Sequence, residues 1–283
     1  MSEILWQMAD RAVDLSQRAL IMGVLNVTPD SFSDGGEFFA PEKAIEQGRR
    51  MAAEGAGIID VGGESTRPGA EPVSTEEELR RVLPVIAKLR ENVLALVSID
   101  TTKAAVAREA LDAGASIIND VTGGRGDPDM MKLAAEKKAA FVIMHMQGTP
   151  QTMQQNPRYD DVVGEVIDFF RQQYARALEC GIDSMAIAFD PGIGFGKTVE
   201  HNLTLLANLP RLRIHDRPIV VGVSRKSSLG QMIGSTDMND RLAPTIAFTA
   251  LLRERGANVL RVHDVRQNAA ALRATERLLE VVI

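Results

Sequence analysis

A unit recurs four times along this chain: a charged helix end, a glycine, then a short apolar run. It is read as EGAGIIDVGG from Glu54, DAGASIINDV from Asp112, CGIDSMAIAFD from Cys180 and RGANVLRVHD from Arg255. Each glycine (Gly55, Gly114, Gly181, Gly256) suits the left-handed position that closes a helix before a strand begins. The four units are therefore helix-to-strand junctions. Further apolar runs with strand character lie at residues 19–25, 94–99, 140–144 and 218–223, which brings the strands to eight. They are almost continuously apolar, as strands are when both faces are covered, and this favours a parallel sheet.

Helical stretches separate the strands. Over 75–89, Leu79, Val82, Leu83 and Ile86 keep helical spacing, and Ser74 with Glu77 forms a capping box. Eight strand–helix pairs of roughly 35 residues each favour closure into a barrel over an open doubly wound sheet. The expected fold class is α/β, a single-domain (β/α)8 TIM barrel over 19–283, preceded by an N-terminal extension over 1–18. No linker or low-complexity tract divides the chain.

The 38 acidic residues outnumber the 32 basic ones, so a basic footprint for nucleic acid is missing. No apolar run approaches the ~20 residues that cross a bilayer. The start MSEILWQMADRAVDLSQ carries acids where a secretory leader needs a positive start, so the expected location is cytoplasmic. The lone Cys180 lies at an apparent helix end and is given a packing role.

Polar residues concentrate at the carboxyl end of each strand: Asn26; Glu64, Thr66 and Arg67; Asp100; Asn119 and Asp120; His145; Asp190; Ser224, Arg225 and Lys226; Arg261 and His263. Taken singly, each has a plain explanation as a turn or cap residue. Together they fall where a parallel barrel gathers its active site. Two rim loops, NVTPDSFSDGG (26–36) and GGESTRPGA (62–70), are dense in turn residues, and Arg67 within the second is a candidate anion clamp. SRKS (224–227) and RVHD (261–264) follow the seventh and eighth strands, where barrels frequently bind phosphate. The tract DPGIGFGKT (190–198) fails as a nucleotide P-loop, because the glycine required five residues before Gly196 is Pro191. It is expected to be a tight turn that presents Phe195 to a ligand.

NVTPDSFSDGG, DVGGESTRPGA, SIDTTK, INDVTGG, MHMQGTP, DPGIGFGKT, GVSRKS and RVHDV, in this order, resemble the dihydropteroate synthases of folate biosynthesis. The resemblance runs from Gly23 to Asp264. It implies that 19–283 is a pterin-binding barrel that joins a pterin-methyl diphosphate to p-aminobenzoate. By resemblance, Asp100, Asn119 and Asp190 accept hydrogen bonds from the ring edge, Lys226 reaches the ring carbonyl and nitrogen, and Met144 and Val121 form apolar walls. Lys226 between Asp100 and Asp190 is expected to keep both ionised.

The diphosphate is expected at Asn26, Thr66, Arg67, Arg261 and His263, with Mg2+ on Asn26. Phe32, Thr66, Pro68, Phe195 and Ser227 are expected to line the p-aminobenzoate pocket, and Asp34 to orient the amine or support the metal. The catalytic set implied is Asp34, Arg67, Lys226 and His263. His145 is expected to be structural, and His201 and His215 to lie at the surface. A homodimer is implied, although Leu242-Ala243-Pro244-Thr245 departs from the glycine that the family often has before that helix. Two alternatives share part of the pattern: a non-catalytic pterin-binding paralogue, and a methyltetrahydrofolate:corrinoid methyltransferase, which has no use for a diphosphate clamp.

Overall fold

The computed structural model describes residues 3–28, 41–65, 69, 71–149 and 152–282. An antiparallel hairpin, β1 (Leu5–Gln7) and β2 (Ala12–Asp14), opens the chain. Eight parallel strands follow: β3 (Leu20–Asn26), β4 (Ile58–Gly62), β5 (Leu96–Asp100), β6 (Ile117–Asp120), β7 (Ala140–Met144), β8 (Ile187–Asp190), β9 (Val220–Val221) and β10 (Val259–Val262). Their order is β8-β7-β6-β5-β4-β3-β10-β9. The two ends meet where Phe189 bridges Ile219 in parallel and donates its N–H to the Pro218 carbonyl at 2.9 Å. The sheet therefore closes into the expected (β/α)8 barrel.

Around it, among the described residues, run α1 (Pro41–Glu54), α2 (Thr75–Asn92), α3 (Ala104–Asp112), α4 (Met130–Lys137), α5 (Val162–Glu179), α6 (Val199–Ala207), α7 (Ser227–Ile233), α8 (Leu242–Glu254) and α9 (Val265–Val282). Gly55, Gly114, Gly181 and Gly256 all have positive φ, between 92° and 115°, at the helix ends where the sequence places them. Cys180 caps α5 and packs on the core. The N-cap of α2 differs in one detail. Ser74 accepts the Glu77 N–H at 3.2 Å, but the Glu77 carboxylate turns to Arg80 and Arg81, at 2.7 and 2.8 Å. A reciprocal box forms instead at α6, between Thr198 and His201.

Two strand boundaries also differ. Leu94 is fully exposed in the turn before β5, and the run over 218–223 contributes only a two-residue ladder. Apolar character marks a strand but does not locate where pairing starts.

The sequence reading gave residues 1–18 no secondary structure, yet the β1–β2 hairpin plugs the amino-terminal end of the barrel. Trp6, Met8 and Leu15 are fully buried with Met22, Ile58, Ile117, Val142, Ala188, Val220 and Val259. The Trp6 indole donates to the Ala186 carbonyl at 2.9 Å, which satisfies its one polar group. Without this plug the lowest interior layer would face water.

Candidate active site

Strand alternation sorts the interior from the helix layer. Ile59 and Val61 on β4, Val97 and Ile99 on β5, Ile118 on β6, Phe189 on β8, and Leu260 and Val262 on β10 belong to the outer core. Their neighbours Asp60, Ser98, Asp100, Asn119, Asp190 and Arg261 therefore face inward. The inner apolar layer ends below them, so the upper half of the barrel is lined with polar groups.

Those groups form one network. Arg261 donates through Nε to Asp60 Oδ2 and through Nη2 to Asp100 Oδ2, both at 2.6 Å, and the Asn119 amide donates to Asp60 Oδ2 at 3.0 Å. Two carboxylates thus share one guanidinium in a medium of low dielectric. Burial above all, opposed by Arg261 and reinforced by Asp60, Glu78 and Asp120, pushes the Asp100 carboxyl up to about 7. Burial alone would lower the Arg261 guanidinium, but Asp60 and Asp100 more than offset this and hold it above its ordinary value.

Burial likewise raises the Asp190 carboxyl, against the pull of Lys226, the Gly192 N–H at 2.7 Å and Arg261. The Lys226 ammonium is pushed down to about 8 by burial, with Asp190 opposing. It donates to the Ile193 carbonyl and lies 4.7 Å from the centre of the Phe195 ring. Asp190, Lys226 and Arg261 therefore act on one another across a single interior.

The contacts of Arg261 and Lys226 add detail to two expectations. Arg261, not Lys226, contacts Asp100, while Lys226 acts on Asp190 and favours its ionised form against the effect of burial. Arg261, expected among the diphosphate ligands, has its guanidinium turned down between Asp60 and Asp100, because two buried carboxylates are the strongest local field for a cation. His263 stays near the mouth, its Nδ1 3.1 Å from Ser224 Oγ. Asp120 takes the plain role of a turn residue, accepting from the Thr122 N–H at 2.8 Å and the Gly124 N–H at 2.9 Å.

Above this network the loop after β8 folds tightly. Gly192, Gly194 and Gly196 have φ of 63°, 82° and 65°, and a Cβ on Gly192 would lie 1.9 Å from the His145 carbonyl oxygen. Lys197, which sequence reasoning passed over, holds this loop from inside. Its ammonium donates to the Gly192 and Phe195 carbonyls at 3.0 Å each, to the His145 carbonyl at 3.3 Å, and lies 3.0 Å from His145 Nδ1. Burial lowers Lys197 to about 7 and His145 to about 2, so His145 is a neutral partner packed edge-on against Phe169. The loop delivers Phe195 against Val121, Met144, Met146 and Met153, an apolar wall that includes the expected Val121 and Met144. His201 serves the α6 cap and meets Tyr159 edge-on, while the exposed His215 stacks on Tyr174.

Ser227 opens α7 at the surface, next to Lys226. Asn26, half-buried, ends β3 opposite Gly62, whose carbonyl accepts the Val27 N–H at 2.7 Å. The two rim loops thus leave from adjacent strand ends. Phe32, Asp34, Thr66, Arg67 and Pro68 lie outside the described residues. Asp60 was also missed by sequence reasoning. Its signal is a lone carboxylate inside an apolar run, IIDVGG, whose strand is buried on both faces.

A closed parallel barrel with hydrogen-bond acceptors, a lysine and an arginine at its carboxyl end defines an enzyme barrel suited to a polar heterocycle. Comparison with known proteins gives that class a chemistry. Residues 22–263 match the family model described as pterin binding enzyme. The dihydropteroate synthase of a Synechocystis strain is 46% identical over 265 residues, covering 94% of this chain and 92% of that protein. The crystal structure of Yersinia pestis dihydropteroate synthase in a sulfonamide drug complex superposes with a TM-score of 0.91 at 40% identity, covering 98% of this chain and all of that one. The Xanthomonas albilineans enzyme with 4-aminobenzoic acid gives 0.91 at 43% identity, covering 98% and 99%. The chain belongs to the dihydropteroate synthase family of pterin binding enzymes.

Proposed function

We propose that this chain is a dihydropteroate synthase of folate biosynthesis, condensing 6-hydroxymethyl-7,8-dihydropterin diphosphate with p-aminobenzoate to give 7,8-dihydropteroate and diphosphate. The observation that carries this is the inward ring of Asp100, Asn119, Asp190 and Lys226 on one interior, beside the Phe195 and Met144 wall. A pterin edge offers several N–H donors and a carbonyl; the ring supplies carboxyl and amide oxygens for the first and an ammonium for the second.

The reaction is a dissociative substitution. The bond from the exocyclic methylene carbon to the diphosphate oxygen breaks, and its electron pair leaves with the diphosphate. The electron-rich pterin stabilises the methylene cation. The p-aminobenzoate nitrogen then forms the new C–N bond and loses a proton. No enzyme nucleophile is needed, so the side chains position the partners and stabilise charge. Lys226 holds the ring carbonyl; Arg67 and His263 face the departing anion, and Arg261 adds its positive charge from its place beside Asp60 and Asp100. Thr66 adds a hydroxyl donor, and Asp34 orients the amine. Phe32, Thr66, Pro68, Phe195 and Ser227 hold p-aminobenzoate, and a sulfonamide would compete for the same pocket.

Among the described residues there is no group of three or more His, Cys, Asp or Glu able to hold a metal. The half-buried Asn26 at the strand end offers a single oxygen, which fits Mg2+, an ion that keeps waters and takes substrate phosphates rather than an all-protein cage. Bound there, Mg2+ would supply charge stabilisation to the leaving diphosphate.

No helix among the described residues is long and apolar enough to cross a membrane, and a cytoplasmic location is part of this proposal. So is a homodimer, supported by exposed Ile233, Met238 and Leu251 on and between α7 and α8. The extension before residue 19 packs into the barrel's inner core through Ile4, Trp6, Met8 and Leu15.

The test supplies both substrates with Mg2+ and follows diphosphate release with dihydropteroate formation. Stoichiometric product that depends on p-aminobenzoate supports the proposal. Pterin binding without product would identify a non-catalytic paralogue instead.

A further inference from the structure

Asp60 is fully buried in the middle of β4, among strands whose other inward residues at that level are Val24 and Ser98. A carboxylate there is costly to desolvate, and an apolar residue would pack the same space with less penalty. Its contacts indicate what it does. Oδ2 accepts from Asn119 Nδ2 at 3.0 Å and from Arg261 Nε at 2.6 Å. A carboxylate offers only acceptors, so it determines which end of the Asn119 amide turns toward it. The amine end faces Asp60, and the carbonyl end is left for whatever fills the barrel.

We infer that Asp60 is a positioning residue: it fixes the Asn119 amide with its oxygen toward the cavity and seats Arg261 beside Asp100, so that the site accepts a ring edge presenting an N–H donor. This rests on the pterin reading above and deepens it. An asparagine free to flip would offer donor or acceptor with equal ease and lose that discrimination. Asp60 also competes with Asp100 for one guanidinium. The charged groups facing Asp100 are Arg261 from β10, Asp60 from β4, Glu78 from α2 and Asp120 from β6. Glu78 is itself held by Lys103 at 2.6 Å.

The test compares the full chain with Asp60→Asn, which keeps the shape and removes the charge. Expected for the variant is a rise on the order of tenfold in KM for the pterin diphosphate, the loss of about one oriented hydrogen bond, with KM for p-aminobenzoate within about twofold. The acid limb of the rate profile moves to lower pH, because Asp100 then has Arg261 to itself. A variant with unchanged pterin KM and an unmoved acid limb overturns the inference while leaving the pterin reading intact. An original chain that binds no pterin overturns both.

Should Asp60→Asn not fold, as read by circular dichroism, calorimetric titration of the original chain with 6-hydroxymethyl-7,8-dihydropterin decides. Burial of Asp100, only partly offset by Arg261 and reinforced by Asp60, makes affinity rise as pH passes about 7. Affinity flat through that pH means that Arg261 neutralises Asp100 unaided, and Asp60 has no such role.

Discussion

Arg261→Met is the substitution whose outcome the structure defines most closely. The guanidinium touches Asp60 and Asp100 at 2.6 Å each, inside the barrel. Methionine fills much of the same volume but leaves two buried carboxylates without a counter-ion. Removing one partner of a buried pair costs about 3–5 kcal/mol. At about 2 °C per kcal/mol for a chain of this size, the midpoint of thermal unfolding should fall by about 6–10 °C near pH 8.

The loss should shrink in acid. Asp100 already stands at about 7 in the folded chain, above its unfolded value of 3.8, and removing Arg261 raises it further. A carboxyl whose folded pKa is raised binds more protons folded than unfolded between the two values, so stability falls as pH rises across that window. At about pH 5.5 the Asp100 carboxyl of the variant is protonated and its part of the penalty is gone. The assay is thermal unfolding followed by the fluorescence of Trp6, the only tryptophan in the chain. A variant as stable as the parent at pH 8, or equally destabilised at both pH values, would refute the buried-pair reasoning.

Three further outcomes follow from particular contacts. Gly192→Ala forces a Cβ into the His145 carbonyl at positive φ and should cost more than about 3 kcal/mol, whereas Gly234→Ala, with φ +69° and open space, should cost only about 1–2 kcal/mol; urea midpoints compare them. Lys197→Met leaves the Gly192 and Phe195 carbonyls without their buried donor and should destabilise by about 2–4 kcal/mol, with a raised KM for p-aminobenzoate as Phe195 shifts; equal KM would free the loop from this strut. Trp6→Phe keeps an aromatic plug but drops the 2.9 Å bond to Ala186, and calorimetry should show a loss of about 1–2 kcal/mol; no loss would mean that the plug is held by packing alone.

Much of this architecture is legible in the sequence because period and punctuation agree. The four glycines after helix ends, and the apolar runs that follow them, mark a parallel, two-sided sheet without reference to long-range contacts. The polar residue that ends each run marks the mouth. What escapes is whatever depends on partners distant in sequence. Asp60 looks like one polar residue within a strand until Asn119 and Arg261, 59 and 201 residues away, are seen to meet it. Lys197 looks like a loop cation until the carbonyls of 192 and 195 close around it. The hairpin plug is silent for a different reason: two strands of three residues are too short for alternation to register. Protonation is also a property of the assembled interior, since the same Asp100 carboxyl would be ordinary in water.

The central claim is that one interior, walled by Asp100, Asn119, Asp190 and Lys226, holds the pterin. A crystal structure of the chain soaked with 6-hydroxymethyl-7,8-dihydropterin diphosphate tests it most directly. The account requires the ring edge within hydrogen-bond distance of those four side chains, with its diphosphate tail at the strand ends beside His263. A ring seated elsewhere, or density that leaves Asp190 and Lys226 untouched, would contradict it.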